Sequence, residues 1–283
     1  MSVLVPTSLE GALQALAEHP DATVLAGGTD LMVELNGGHR RPTDVVVVNR
    51  VPELCTWRHD PVSSSLRIGA GVTYSEIEGE PIATWAPALA QAARTVGSPQ
   101  IRHAATIGGN VGTCSPAGDG LPVLAALDAV VELTSLAGVR SVPFAEFMVG
   151  PKRTTRAAGE LITAVTVPVL DGWQGYTKVG VRNAMVIATA SVALAVSNAD
   201  RTVALALGSV GPTVLRCPEA EALAAQHADF AAGRLAADVV AECSELVRGA
   251  ARPIDDHRSS ADYRRHAVGV LAGRLLRRAF PHE

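Results

Sequence analysis

The chain has 283 residues, 48% hydrophobic and 18% charged, with a formal net charge of −4. That length supplies a real core and admits one or two domains, and the apolar content excludes a disordered chain. A slightly negative charge gives no basic field for nucleic acid. The longest apolar-looking run, Ala184 to Val196, is broken by Thr189 and Ser191 and falls short of the roughly 20 residues of a membrane span. The opening residues carry no basic segment and no small-residue cleavage site, so a cytoplasmic protein is expected.

Along the chain, Ser8 is placed to cap a helix with Ala12, Leu13, Leu16 and Ala17 on one face. Thr23 to Ala26 reads as a strand running into Gly27-Gly28, and the continuous run Val45 to Val48 as a buried strand. Ser65 to Gly69 alternates like a strand, Thr73 to Ile77 opens a short helix, and Ala88 to Val96 forms another. The segment from Gly97 to Pro122 is rich in glycine and proline. It is expected to be a long functional loop, because structureless loops of that length are seldom ordinary linkers. Val130 to Leu133, Arg140 to Val142 and Leu161 to Val167 are predicted strands of an antiparallel sheet. A boundary falls at Pro168 to Gly172. Beyond it come a strand pair (Ala188 to Val196, Thr202 to Gly208), two helices between Pro218 and Ala251 broken near Gly233, and a last helix from Ser260 to Phe280.

Chemistry is expected at Ala26-Gly-Gly-Thr-Asp30 and Thr106-Ile-Gly-Gly-Asn110. Glycine permits φ > 0 and close approach to the backbone, and successive N–H groups in such turns converge on anions. Two such nests could grip two linked phosphates from opposite sides. Each pair taken alone is equally a tight turn, and neither has the G-x-G-x-x-G or G-x-x-x-x-G-K-[ST] spacing. Four cysteines (Cys55, Cys114, Cys217, Cys243) are scattered with no C-x-x-C pair, so any iron–sulfur cluster belongs on another chain. Of 24 basic residues two are lysine, Lys152 and Lys178.

The second glycine motif continues as Val111-Gly-Thr-Cys-Ser-Pro-Ala-Gly-Asp119. With Ala26 to Asp30, Ala105 to Asn110 followed by that aspartate, and Asp255-Asp-His-Arg-Ser-Ser-Ala-Asp-Tyr-Arg-Arg265, the chain resembles the FAD-binding medium subunits of molybdenum hydroxylases. This is the xanthine dehydrogenase and aerobic carbon monoxide dehydrogenase family, and the likeness spans nearly the whole chain. It implies an α+β protein: a two-subdomain FAD-binding fold of the PCMH or vanillyl-alcohol-oxidase type, then a C-terminal domain of small antiparallel sheet plus helices. The boundaries expected are 1–55, 56–172 and 173–283.

The resemblance also implies roles. Val24, Leu25, Ala26, Gly27, Gly28, Thr29, Asp30 and Leu31 would wrap the pyrophosphate and ribityl side of FAD. Thr106, Gly108, Gly109 and Asn110 would hold the diphosphate from the second subdomain. Asp119 would accept from a ribose hydroxyl, Ile162 would offer backbone contacts to a ring, and Lys178 would lie near the isoalloxazine. Asp119 is otherwise a turn former, Lys178 a solvated lysine, Cys114 a buried filler, and the basic last helix a solvated face or a docking surface. His39 and His103 are conceivable flavin attachment points. The attachment pattern of relatives, however, puts a histidine where this chain has Thr29-Asp30, so non-covalent FAD is expected. No residue is expected to act as catalytic acid or base. Molybdenum–pterin and [2Fe–2S] clusters are expected on a large and a small partner subunit, in a dimer of heterotrimers. A stand-alone flavin oxidase or reductase and a non-enzymatic nucleotide-binding module are the alternatives.

Overall fold

The computed structural model describes residues 2–281. The N-terminal unit is a parallel three-stranded sheet packed on one helix. Strand β1 (Ser2–Leu4) leads to α1 (Leu9–Glu18), β2 (Thr23–Leu25), α2 (Leu31–Asn36) and β3 (Asp44–Val47), with strand order β1-β3-β2. Ser8 caps α1 by accepting from the Gly11 amide at 3.1 Å. Ala12, Leu13 and Leu16 bury against Val46 and Val48. Helix α2 buries no residue, and its Met32 and Val33 are exposed.

The second unit begins with β4 (Trp57–Asp60), β5 (Ser65–Gly69), α3 (Tyr74–Ile77), α4 (Ile82–Trp85) and α5 (Pro87–Thr95). The stretch expected to be a loop instead forms α6 (Pro99–Ala104), α7 (Ile107–Thr113) and α8 (Gly120–Ala126). Its turn formers are helix punctuation. Ser98 and Thr106 accept from the Ile101 and Gly109 amides, and Pro99 takes the first helical position, where its missing N–H costs nothing. Then follow β6 (Val130–Ser135), β7 (Gly138–Pro143), α9 (Phe144–Phe147), the β8 (Met148–Gly150) and β9 (Arg153–Thr154) hairpin, and β10 (Leu161–Pro168). The five-stranded antiparallel sheet runs β4-β5-β10-β6-β7.

The C-terminal unit contains β11 (Gln174–Val179), β12 (Ala190–Ser197), β13 (Thr202–Gly208) and β14 (Leu215–Arg216) in an antiparallel sheet of that order. Helices α10 (Pro218–His227), α11 (Ala237–Ala250) and α12 (Ala261–Ala279) cover one face. All eight residues of β12 are buried. Ala193 and Ala195 face the core of the second unit, while Val192, Leu194 and Val196 face the helices. Small residues on one side let that core come close; branched ones on the other fill the space under the helices. No strand is expected from the sequence at β1, β4, β8, β9, β11 or β14. No helix among the described residues is long and apolar enough to cross a membrane.

Candidate functional site: a cavity between the glycine motifs

The two glycine motifs meet. A Cβ on Gly27 would lie 1.7 Å from the Ala104 carbonyl oxygen, so only glycine lets the first loop rest on the end of α6. Gly28 has φ +73°, which turns the chain into α2. Between the loop after β2 and segment 104–119 lies a cavity of about 1030 Å³, at the upper end of ordinary small-molecule sites. Its far walls come from Ile162 on β10, Lys152, Thr154 and Arg156 beside the hairpin, and Met185, Val186 and Ile187 in the segment after β11. A register shift between Ile162 and Ala164 marks a bulge in β10 just where Ile162 joins the wall. Bulges commonly re-aim a side chain in this way.

The two motifs differ in what they offer. The amides of Gly27, Gly28, Thr29, Asp30 and Leu31 have no acceptor among the described residues, which leaves a run of free donors at the start of α2. The amides of residues 107–110 in the second motif are spent within the protein. Ile107 donates to the Val72 carbonyl at 3.0 Å, Gly108 to Ala70 at 2.9 Å and Asn110 to Thr106 at 3.0 Å. Gly109 donates to Thr106 Oγ1 at 3.0 Å. The expected pair of backbone nests is therefore one backbone nest faced by side chains. Thr106 keeps its own O–H for a ligand. Asn110 accepts from the Tyr74 hydroxyl at 2.7 Å through Oδ1, and its Nδ2 has no acceptor among the described residues.

Fourteen of the fifteen residues expected at the site line this one cavity: Val24 to Leu31, Thr106, Gly108, Gly109, Asn110, Asp119 and Ile162. Lys178 is the exception: it stands behind the wall, bonded to the wall residues Asp119 and Val186. Its ammonium donates to Asp119 Oδ2 at 2.7 Å, the Thr95 carbonyl at 2.9 Å and the Val186 carbonyl at 3.0 Å. Three donors meet three acceptors, so none is left for a ligand. Asp119 is only 8% exposed and also accepts from the Tyr176 hydroxyl at 2.8 Å. Burial pushes the Asp119 carboxyl up, and the Lys178 ammonium followed by the hydroxyl bonds pulls it back.

Several wall residues were not foreseen. Arg40, Lys152 and Arg156 bring positive charge to the cavity wall, and Glu34 balances two of them. Lys152 pairs with Glu34 from across the cavity and, with Arg40 at 3.7 Å, holds that carboxyl below its usual range. The scarcity of lysine was the sole sequence signal for Lys152; Arg40 and Arg156 had none. His103 lines the cavity, with Nδ1 against the Pro99 carbonyl at 2.7 Å and Nε2 against the Ser75 hydroxyl at 3.3 Å. His39 is exposed and outside the wall. Cys114 is fully buried, and burial pushes its thiol up to about 11. Among the described residues no three histidine, cysteine or acidic side chains cluster as a metal site.

A glycine-lined anion nest, a long cavity and a following sheet-and-helix domain define a chain that binds a phosphorylated cofactor between subdomains. Residues 1–170 match the FAD binding domain of molybdopterin dehydrogenases, and residues 175–279 match the CO dehydrogenase flavoprotein C-terminal domain. The chain belongs to this family: it is an FAD-binding medium subunit of the molybdopterin dehydrogenases, which are oxidoreductases. It is 36% identical over 271 residues to the glyceraldehyde dehydrogenase medium chain of Sulfolobus acidocaldarius, covering 93% of this chain and 92% of that one. A chain of the carbon monoxide dehydrogenase from Hydrogenophaga pseudoflava superposes with a TM-score of 0.91 at 28% identity, covering 99% of this chain and 97% of that one. A chain of quinoline 2-oxidoreductase from Pseudomonas putida 86 gives 0.90 at 25% identity, with coverage of 99% and 97%.

Proposed function

We propose that the chain is the FAD-carrying electron-transfer subunit of a heteromeric, cytoplasmic molybdenum hydroxylase. The observation that carries this reading is the run of unbonded amides from Gly27 to Leu31, set across a cavity from Thr106 and Asn110. A diphosphate needs such convergent donors. Charge-assisted hydrogen bonds contribute roughly 1.5–3 kcal/mol each, so four or five suffice for about micromolar affinity after ordering costs.

In this reading the Val24 to Leu31 loop wraps the diphosphate and ribityl chain. Thr106 and Asn110 donate from the opposite wall through side chains, while Gly108 and Gly109 allow backbone approach. Asp119 accepts from a ribose hydroxyl, which suits a carboxylate that would otherwise face phosphate. Ile162 backs a ring, and Lys178 holds Asp119 and the Val186 carbonyl in place. Thr29-Asp30 stands where covalent relatives carry histidine, and both His103 nitrogens are engaged, so the flavin is held non-covalently. Bound FAD would supply redox chemistry between [2Fe–2S] clusters of a small partner subunit and an external acceptor. Substrate oxidation belongs to a molybdenum–pterin on a large partner subunit, in a dimer of heterotrimers. The division 1–55, 56–172 and 173–283 places the flavin between the first two units.

Flavin content tests this directly. Acid release from the purified chain, followed by chromatographic separation of FAD from FMN, is expected to give soluble FAD near one per chain. Flavin pelleting with the protein would indicate covalent attachment. No flavin even after co-expression with iron–sulfur and molybdopterin partners would overturn the reading.

A further inference from the structure

The closing Asp256-x-Arg258-x-Ser260-x-x-Tyr263-Arg264 segment lies outside the cavity wall and has no part in the roles above. Its Arg264 is nevertheless buried, at 4% exposure. Asp256 supplies the counter-charge: its Oδ1 accepts from the Arg258 amide at 2.8 Å, the Ser259 amide at 3.2 Å and Arg264 Nη2 at 2.7 Å. The Ser260 hydroxyl caps α12 by accepting from the Tyr263 amide at 3.3 Å. Loop and helix thus hold carboxylate and guanidinium in one register.

The other edge of the guanidinium faces the loops behind the cavity. Nη1 donates to the Thr189 carbonyl at 2.9 Å and the Ser209 carbonyl at 2.8 Å. Thr189 ends the segment whose Met185, Val186 and Ile187 line the cavity. Ser209, at φ +63°, donates its amide to the Pro116 carbonyl at 2.8 Å and its hydroxyl to the Ala188 carbonyl at 2.9 Å. Pro116 sits between the wall residues Ser115 and Ala117, three positions before Asp119. One serine therefore touches both wall segments, and Arg264 fastens that serine. The same two segments meet again at Lys178, through Asp119 and Val186.

We propose that Arg264, anchored by Asp256, is a positioning residue for the cofactor. It clasps segments 114–119 and 180–189 into one wall before FAD binds. The inference rests on the FAD reading above. A planar fork reaches two carbonyls from one nitrogen and a carboxylate from the other, which a lysine ammonium at the same place does not. Loops ordered in advance remove ordering cost from binding, so loss of the clasp registers as weaker binding with the fold retained.

Hydrogen exchange on the full-length, flavin-free chain tests this, paired with FAD titration followed by flavin fluorescence. In Arg264→Gln, exchange is expected to accelerate in 114–119 and 180–189 while α11 and α12 stay protected. The Kd for FAD is expected to rise about tenfold, with Arg264→Lys restoring neither property in full. If Arg264→Gln does not fold, Ser209→Ala keeps the arginine and removes the bond to Ala188, and faster exchange at 185–189 is expected there. Unchanged exchange in both segments of a folded variant, or loosening spread evenly through α11 and α12, would overturn the clasp. A native chain that takes up no FAD, alone or co-expressed with its partners, overturns the flavin reading instead, and the exchange pattern alone then decides the clasp.

Discussion

Neighbouring glycines in the second motif serve different ends. A Cβ on Gly108 would meet the Ala70 carbonyl oxygen at 2.7 Å and its Cα at 2.8 Å, both backbone atoms that cannot step aside. A Cβ on Gly109 meets the Thr106 hydroxyl at 3.1 Å and is otherwise unhindered. Gly108→Ala is therefore expected to destabilise the chain by about 1–3 kcal/mol, the usual cost of overpacking. Gly109→Val should lose flavin while melting near the native temperature. Thermal melts alongside acid-released FAD check the pair, and unchanged flavin in Gly109→Val would remove that wall from diphosphate binding. The lysines follow a similar logic. In an arginine-biased chain, Lys178 persists because three acceptors surround a point-like ammonium with three donors. A flat guanidinium does not match that arrangement.

Short helices dominate the middle of the chain, and their ends matter more than their lengths. Helix α7 has seven residues and includes three glycines, a poor helix by propensity. It forms because Thr106 caps its first turn and because Ile107 and Val111 are fully buried. Thr106→Ala should cost about 1 kcal/mol, the usual worth of an N-cap, and weaken FAD binding, while Thr106→Ser keeps both. Urea denaturation and flavin titration measure the two effects, and full flavin affinity in the alanine variant would leave Thr106 a cap only. The glycine- and proline-rich composition pointed to a segment that lines the cavity, but as a loop where the structure has helices. Capping residues and loop residues are the same residue types, and burial decides between them. Strand β11 escaped notice for the complementary reason. Its Gln-Gly-Tyr-Thr-Lys-Val sequence shows little alternation, and it is held by pairing with β12 and by the Tyr176 amide bond to Gln91 at 2.8 Å.

Across the whole molecule the C-terminal domain and the cofactor-binding part share a core through β12 and α8, and share a polar spine through Asp119, Lys178, Ser209 and Arg264. The outer end of that spine is pH-sensitive. Burial raises the Asp256 carboxyl, but the Arg258 amide and the Arg264 guanidinium more than offset this and hold it down to about 2. An unfolded aspartate titrates near 3.9. The stabilisation is then fully present above about pH 4 and is lost as pH falls toward 2. Asp256→Asn should flatten the stability–pH curve across that acid window and leave its shape above it unchanged. Denaturant midpoints measured at stepped pH check this, and an unaltered acid slope would contradict it.

Sequence by itself determined the family, the cofactor class, the two glycine motifs and most strands and helices that carry a clear apolar period. Those depend on local chemistry: glycine where backbones approach, a hydroxyl ahead of a helix, branched residues in buried strands. Tertiary structure alone decided which donors were left for a ligand. Gly108 and Gly27 look alike in sequence, yet the amide of the first is consumed by Ala70 while that of the second has no acceptor among the described residues. It likewise decided that Lys178 faces Asp119 and a loop carbonyl rather than the cavity, and that a distant Arg264 reaches the loops behind it. Hydrogen-bond partners of buried groups are set by what the fold brings within about 3 Å, and residues 57 and 75 positions apart carry no mark of that meeting.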